Sequence, residues 1–314
     1  MITVVGETLI DLISGGSGTY RSTPGGAPAN AAVTLARLGV PVTLAARIGD
    51  DKFGRTLRAY VASRGVGTRD LVAATQATTL AIANVDGTGS AEYDFYVRDT
   101  ADWQWRPEEL PDPLESDVTA LHVGSLALAM APGAAVLEEW IGRQRGQATV
   151  SYDPNVRPAL AGTPEEERIR IERQVAMADI VKASDADLRF LYPDEEVGAA
   201  AERWTRLGPA LVLVTQGGDD TLVLRGGPAP VSLRCAPPKV DVVDTVGAGD
   251  ALAAGLLDAL GQVDALGAAQ RDRLRSLSEP ELLACVGHAQ LAAARTCERL
   301  GADPGPLDLP PVAG

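Results

Sequence analysis

The feature that most constrains this chain is an alternation in its middle third. Short apolar runs at 118–123, 148–152, 180–183 and 210–215 alternate with longer amphipathic stretches, among them 133–145 and 164–177. Each run is short and nearly continuous in apolar residues, as befits a strand covered on both faces. Strands that alternate with helices build a parallel sheet with helices on either side. Residues 2–5 add a buried first strand, and 221–225 and 231–234 read as edge strands of the same sheet. Ser278-Glu279-Pro280-Glu281 is a capping box that opens a last long helix, running to Gly301, before a Pro-rich coil. In sheets of this kind ligands bind beyond the carboxyl ends of the strands. The polar residues just after each run therefore carry weight: Gly124-Ser125, Asp153, and Lys182 with Ser184 and Asp187.

A second stretch, Val242-Val243-Asp244-Thr245-Val246-Gly247-Ala248-Gly249-Asp250, passes from an apolar pair through a small-residue turn into an Ala/Leu-rich helix. Gly247 and Gly249 let the backbone turn tightly and approach a ligand. The helix start offers N–H groups that lack intrahelical partners, at the positive end of the macrodipole. The N–H groups of Ala248, Gly249 and Asp250 would suit a phosphate. Asp250 could accept a proton from a hydroxyl, although the dipole would favour its anion and weaken it as a base. An ordinary loop with a capping Asp is the plainer reading of the same residues.

Residues 80–85 and 91–97 are strand-like and joined by Asp86-Gly87-Thr88-Gly89-Ser90, a hairpin turn. With part of 9–24 they would form a small β-sheet lid, inserted at about 9–24 and 79–102 into a single α/β domain spanning 1–314. Pro28 and Gly39 bracket a helix, with Asn30 in its first turn as a donor and acceptor for a hydroxyl or for nearby backbone. Trp103 and Trp105 read as packing, and His122 and His288 as structural.

Of 314 residues, 42 are acidic and 28 basic, a net charge of −14. No basic stripe suits nucleic acid, so no nucleic-acid partner is expected, and no membrane partner either. An anionic substrate would need a local cluster of basic groups or a metal. Cys235, Cys285 and Cys297 form no paired motif. The first residues lack the basic start of a signal peptide, and a cytoplasmic protein is expected. No Gly-x4-Gly-Lys-[Ser/Thr] segment occurs, which excludes a P-loop kinase.

The pattern Asp-Thr-x-Gly-Ala-Gly-Asp at 244–250 resembles the C-terminal signature of the PfkB (ribokinase-like) carbohydrate kinases. Gly25-Gly26-Ala27-Pro28-Ala29-Asn30 is similar to their N-terminal signature, in the form seen in bacterial fructokinases. Residues 47–54 look like the Gly-Asp-Asp-x-Phe-Gly block of the same family, and 153–157 like its Asp-x-Asn-x-Arg block. The resemblance implies a ribokinase-like three-layer sandwich with a mostly parallel central sheet and a small β-sheet lid, which often pairs with a second subunit, hence a homodimer. It implies ATP and Mg²⁺ as cofactors, with K⁺ in some relatives, and a small sugar as acceptor.

Carried over by residue, the resemblance makes Asp250 the catalytic base, with Gly247, Ala248 and Gly249 cradling the phosphoryl group. Asp11, Gly25, Gly26, Asn30, Asp153 and Arg157 would face the sugar. Arg98 is either a further sugar contact or a surface arginine. Lys182, Ser184, Thr215, Gly217, Gly218 and Gln290 would lie by the nucleotide, Gln290 standing where relatives carry Asn near adenine. Ser184 and Asp187 replace the family's Asn-x-x-Glu, so Asp187 either holds a Mg²⁺-bound water or completes an N-capping box. Asp244 and Thr245 would shape a monovalent-cation site. The fructokinase-like blocks favour fructose, phosphorylated to fructose 6-phosphate. A 2-keto-3-deoxygluconate kinase or ribokinase is the nearer alternative. Outside the class stand an NAD-dependent oxidoreductase using Gly247-x-Gly249, which lacks the third glycine and sits late in the chain, and a non-catalytic sugar-binding protein.

Overall fold

The computed structural model describes residues 1–14, 18–85 and 91–312. The expected hairpin turn at 86–90 lies outside the described residues, as does 15–17 within the expected lid.

Among the described residues the chain begins with β1 (Ile2–Val5), β2 (Leu9–Ser14), β3 (Tyr20–Gly25), α1 (Ala27–Arg37), β4 (Val42–Gly49), α2 (Lys52–Ser63), β5 (Leu71–Ala74), β6 (Leu80–Val85) and β7 (Ala91–Tyr96). It continues with β8 (Ala120–Gly124), α3 (Gly133–Gln144), β9 (Thr149–Asp153), α4 (Pro164–Val175), β10 (Ile180–Ser184), α5 (Asp185–Leu191), α6 (Val197–Thr205) and β11 (Leu211–Gln216). The last part holds β12 (Asp219–Arg225), β13 (Val231–Cys235), α7 (Ala248–Gln262), α8 (Arg271–Arg275) and α9 (Glu279–Cys297).

The main sheet runs β13-β12-β11-β10-β9-β8-β1-β4-β5. From β11 to β5 its pairs are parallel, while β11–β12 and β12–β13 are antiparallel, which makes β13 the edge strand at that end. Strands β1, β8 and β9 are buried along their whole length, as continuous apolar runs between two helical layers must be. One face packs on Leu137 and Trp140 of α3, Ile171 of α4 and Trp204 of α6. The other packs on Leu35 of α1, Leu256 and Leu257 of α7, and Val286 of α9. Helices α7 and α9 approach closely because Gly255 has no side chain: a Cβ there would lie 2.9 Å from both Ala289 Cα and Ala292 Cβ.

The second sheet runs β3-β2-β6-β7, with β2–β6 parallel and the outer pairs antiparallel. It stands on the carboxyl side of β1, because β2 follows β1 after only a few residues. Tyr20 and Tyr96, on its two edge strands, are exposed. Residues 242–246 are a loop with Val242, Val243 and Val246 exposed, held by the Val243 and Asp244 N–H groups donating to the Cys297 carbonyl. One boundary differs from the sequence reading. The last helix ends at Cys297, and the coil beyond it docks through Asp303, which pairs with Arg37 and Arg64. Among the described residues no helix is long and apolar enough to cross a membrane.

Candidate active site

The ends of five strands define the site. Glu7 and Thr8 leave β1, Gly124 ends β8, Asp153 ends β9, Ser184 ends β10 and Thr215 lies near the end of β11. Strand β8 is pressed against β9 there, since a Cβ on Gly124 would fall 2.0 Å from the Asp153 carbonyl oxygen. Helix α7 points its N-terminus into the same region. Its N-cap, Gly247, has φ +80, and a Cβ on it would meet Ala302 Cβ at 2.5 Å. Both facts exclude a side chain there.

The start of α7 leaves fewer free N–H groups than the three considered in the sequence. The Ala248 N–H already donates to the Thr245 carbonyl at 3.2 Å. Among the described residues, the N–H groups of Gly249 and Asp250 make no such bond, so these two open the helix toward a ligand. Lys182 Nζ lies against this turn, 2.8 Å from where a Cβ on Gly249 would stand. Its ammonium also bonds Asp153 Oδ2 at 2.8 Å, both side chains being buried. Burial works against that charge, but Asp153, Asp187 and Asp250 outweigh it and hold the lysine protonated. Beneath it, burial and then the Lys182 charge push His122 down to about 4, so this imidazole is neutral and bonds Ser151 Oγ at 3.1 Å.

Asp250 receives a hydrogen bond from Asn30 Nδ2 at 2.9 Å, across 220 residues of chain. The two signature segments thus meet side chain to side chain. Asp250 is partly exposed at the rim, yet enclosure of its carboxyl raises its pKa to about 7, although Asn30, Lys182 and Arg157 pull it down. Desolvation is the largest cause, and it acts in the opposite sense to the weakening expected from the helix dipole. Arg157 faces three acids at once, since its charge also bears on Asp11 and Glu7. Asp11 belongs to β2 of the small sheet, and burial lifts it to about 6. Its carboxylate lies over Gly25, where a Cβ would stand 2.1 Å from Asp11 Oδ2. Arg157 is itself steadied by Asn155, whose Oδ1 accepts from Nη1 at 2.6 Å and whose φ is +42.

The other expected residues fare unequally. Gly26, with φ +103, carries the chain into α1, and its position leaves no room for a side chain beside the Glu7 carbonyl. Gly217 and Gly218 form the exposed turn between β11 and β12, and Thr215 Oγ1 donates to the Ala183 carbonyl at 3.3 Å. Arg98 is exposed just past β7. Gln290 is buried, and its amide bonds the Thr221 hydroxyl, the Cys235 carbonyl and the Cys235 thiol. It ties α9 to β12 and β13.

Ser184 and Asp187 form the capping box of α5, and Asp187 Oδ1 also accepts the Val156 N–H at 2.8 Å. Three donors on one carboxylate leave little capacity for a metal. Among the described residues no group of three or more His, Cys, Asp or Glu could hold an ion, so the donor set does not make a magnesium cage. Asp244 accepts from the Val246 and Gly301 N–H groups, and Thr245 beside it is exposed. Glu7 and Asp102, both buried carboxyls at the base of the small sheet, were visible in sequence without a site role, Glu7 as an acid just past a buried strand and Asp102 in an Arg…Ala-Asp pattern similar to that of fructokinase-like members.

The family model for pfkB family carbohydrate kinases matches residues 1–308. The chain belongs to this family. It is 40% identical to a fructokinase of Klebsiella pneumoniae over 82% of this chain and 83% of that one. The structure is similar to that of Xylella fastidiosa fructokinase with bound ATP, at a TM-score of 0.88 and 30% identity, covering 97% of this chain and 94% of the other. It is also similar to Vibrio cholerae fructokinase in its fructose-, ADP- and calcium-bound form, at a TM-score of 0.81 and 29% identity, over 96% and 94% of the two chains. This carbohydrate kinase therefore carries its family's fold, a large mostly parallel sheet between helices with a smaller sheet beside it.

Proposed function

We propose that the protein transfers the γ-phosphoryl group of ATP to a hydroxyl of fructose, giving fructose 6-phosphate. The observation that carries this is the Asn30–Asp250 hydrogen bond: it joins a helix-start carboxyl poised near neutral pH to the N-terminal segment beside Asp11. Relatives that bind fructose and ATP support the choice of substrates.

In this reading the sugar lies between the small sheet and the main sheet. Asn30 and Arg157 orient it, with Asp11, Gly25 and Gly26 lining the side toward the small sheet. Arg98 stands at the rim as a further sugar contact. Asp250 accepts the proton of the attacking hydroxyl, and a loose phosphoryl-transfer transition state asks little more of it. The Gly249 and Asp250 N–H groups face the equatorial oxygens, each such donor being worth ~3 kcal/mol where charge develops. Lys182, neutralised in the ground state by Asp153, supplies positive charge on the same side. Ser184, Thr215, Gly217 and Gly218 flank the nucleotide. Magnesium comes with the ATP phosphates; Asp187 has room only to accept a hydrogen bond from one of that ion's waters. A monovalent cation would sit by Asp244 and Thr245. The small sheet covers the sugar, and its exposed Tyr20 and Tyr96 edges support a homodimer formed through it. The protein is assigned to the cytoplasm on its sequence.

An ADP-release assay with ATP and Mg²⁺ tests this against fructose, ribose, 2-keto-3-deoxygluconate, adenosine and fructose 6-phosphate. Preferential turnover of fructose is expected. A kcat/KM for another acceptor tenfold above that for fructose would sink the fructose assignment while leaving the kinase.

A further inference from the structure

The described backbone passes between the main body and the small sheet four times: at Thr8 before β2, at Gly26 after β3, at Thr78-Thr79 before β6, and at 97–100 after β7. Three of these crossings meet at one side chain. Asp102 Oδ1 accepts the Thr8 N–H at 3.0 Å, and Oδ2 accepts the Thr79 hydroxyl at 2.5 Å. The Thr79 and Thr100 hydroxyls are 2.6 Å apart, and Thr100 Oγ1 donates to the Val97 carbonyl at 3.1 Å. The fourth crossing leans on the first, because a Cβ on Gly26 would lie 2.6 Å from the Glu7 carbonyl oxygen and 3.0 Å from Thr8 Cα. Asp102, Thr79 and Thr100 are all buried. A buried carboxyl is costly to keep without donors, and here its donors come from the hinge strands.

Neighbouring anchors act on two legs of the sheet rather than three. Asp51 holds the Thr78 N–H and hydroxyl while capping α2. Arg47, ion-paired with Glu109, donates to the Ala101 carbonyl at 3.0 Å and to Gln76 Oε1 at 3.0 Å. Asp51 fixes the leg at 76–79 to the main body, and Arg47 fixes that leg and the one at 100–102. Asp102 adds the Thr8 leg, which leads straight to Asp11. A carboxyl that bonds the base of β2 and the base of β6 makes those two strands move as one.

We propose that Asp102 is the hinge clasp of the small sheet, a positioning residue that fixes where Asp11 and its strand stand when the sheet closes over the sugar. The clasp touches neither substrate nor reacting atoms. Its consequence for catalysis rests on the small sheet covering the sugar, as proposed above; its consequence for the hinge does not.

The test uses Asp102→Ala and Thr79→Val, each with hydrogen exchange and steady-state kinetics. In both variants, exchange at amides of β2 and β6 should rise at least tenfold without substrate, while amides of β9 and β10 keep their wild-type rates. The KM for fructose should rise at least tenfold, with kcat within threefold and the KM for ATP within twofold. Asp102→Asn should restore the fructose KM to within threefold. Its carbonyl still accepts from Thr8 and its amide can donate to the Thr79 oxygen. Unchanged exchange at β2 and β6 would overturn the clasp, as would an equal rise across β9 and β10, which signals general loosening. Loosened β2 and β6 with an unchanged fructose KM would keep the clasp and sink the sheet's role over the sugar. If Asp102→Ala does not fold, Thr79→Val decides by the same criteria.

Discussion

Asp250 is where residue chemistry and function meet. As the proposed base it must be ionised, and burial puts its pKa at about 7. Turnover at low sugar should therefore be flat above about pH 7 and fall tenfold for each pH unit below it. Asn30 donates to the ionised form and so lowers that pKa. Asn30→Ala should move the acid limb of kcat/KM to higher pH, separately from any change in sugar KM. A limb that stays put or shifts to lower pH would remove this role for Asn30. Asp250→Asn should cost about 10²–10⁴ in kcat while its circular dichroism matches the parent. An activity near that of the parent would remove Asp250 as the base. At this scale Asp250, Asn30 and Asp153 are all legible in the sequence, since each sits in an ordered motif. The Asn30–Asp250 bond and the Lys182–Asp153 pair are not. They join residues 220 and 29 positions apart, and only the folded sheet sets them side by side.

At the scale of elements, most boundaries follow from local chemistry, and the ambiguous ones are those where local chemistry serves two readings. Continuous apolar runs yield β8 to β11, and Ser278-x-x-Glu281 opens α9 as a capping box. The apolar Val242-Val243 pair stays outside the sheet, which ends at β13, and lies exposed in the loop before α7. Asp187 has the same ambiguity in side-chain form, as a metal group or a cap. Its oxygens hold the Ser184 N–H and hydroxyl and the Val156 N–H, so α5 and the loop carrying Arg157 hang on one carboxylate. Asp187→Ala should lower stability by about 1–3 kcal/mol, read as a reduced melting temperature, with Mg²⁺ half-saturation of turnover within twofold of the parent. A tenfold rise in that half-saturation at unchanged melting temperature would return Asp187 to the metal. Gln290 illustrates the converse: a polar residue mid-helix looks available in sequence, whereas the packing of α9 on β12 and β13 consumes it.

At the scale of the whole molecule, two raised carboxyls, Asp102 at the proposed hinge and Asp250 in the first turn of α7, fall in the same pH range. Burial is the largest cause for both, and each is lifted to about 7, against ~3.9 for an unfolded Asp. Between those values the folded chain binds more protons than the unfolded one. Stability is thus greatest below the unfolded pKa and is lost as pH rises through 7. His122 acts in the opposite sense: its folded pKa of about 4 makes it cost stability as pH falls below ~6.5. At pH 6.5 an unfolded imidazole is half protonated, so between pH 8 and 6.5 His122 offsets only part of the carboxyl gain. Over this interval the folded state should gain about 1 kcal/mol, or a few degrees in melting temperature at constant ionic strength. Relief of repulsion at a net charge of −14 acts in the same direction, but salt screens it. At 0.5 M salt the gain should persist in the parent and shrink by more than half in an Asp102→Asn, Asp250→Asn double variant, the remainder coming from Glu7 and Asp11, which burial also raises. A double variant that keeps the full gain would mean these groups titrate elsewhere. If the gain shrinks as expected, the pH that ionises Asp250 for the proposed catalysis also charges Asp102 beneath Asp11. Activity and global stability would then be set against each other by one physical cause, the burial of carboxyls, while the Thr8 and Thr79 donors, which favour the charged form, keep the clasp bonded.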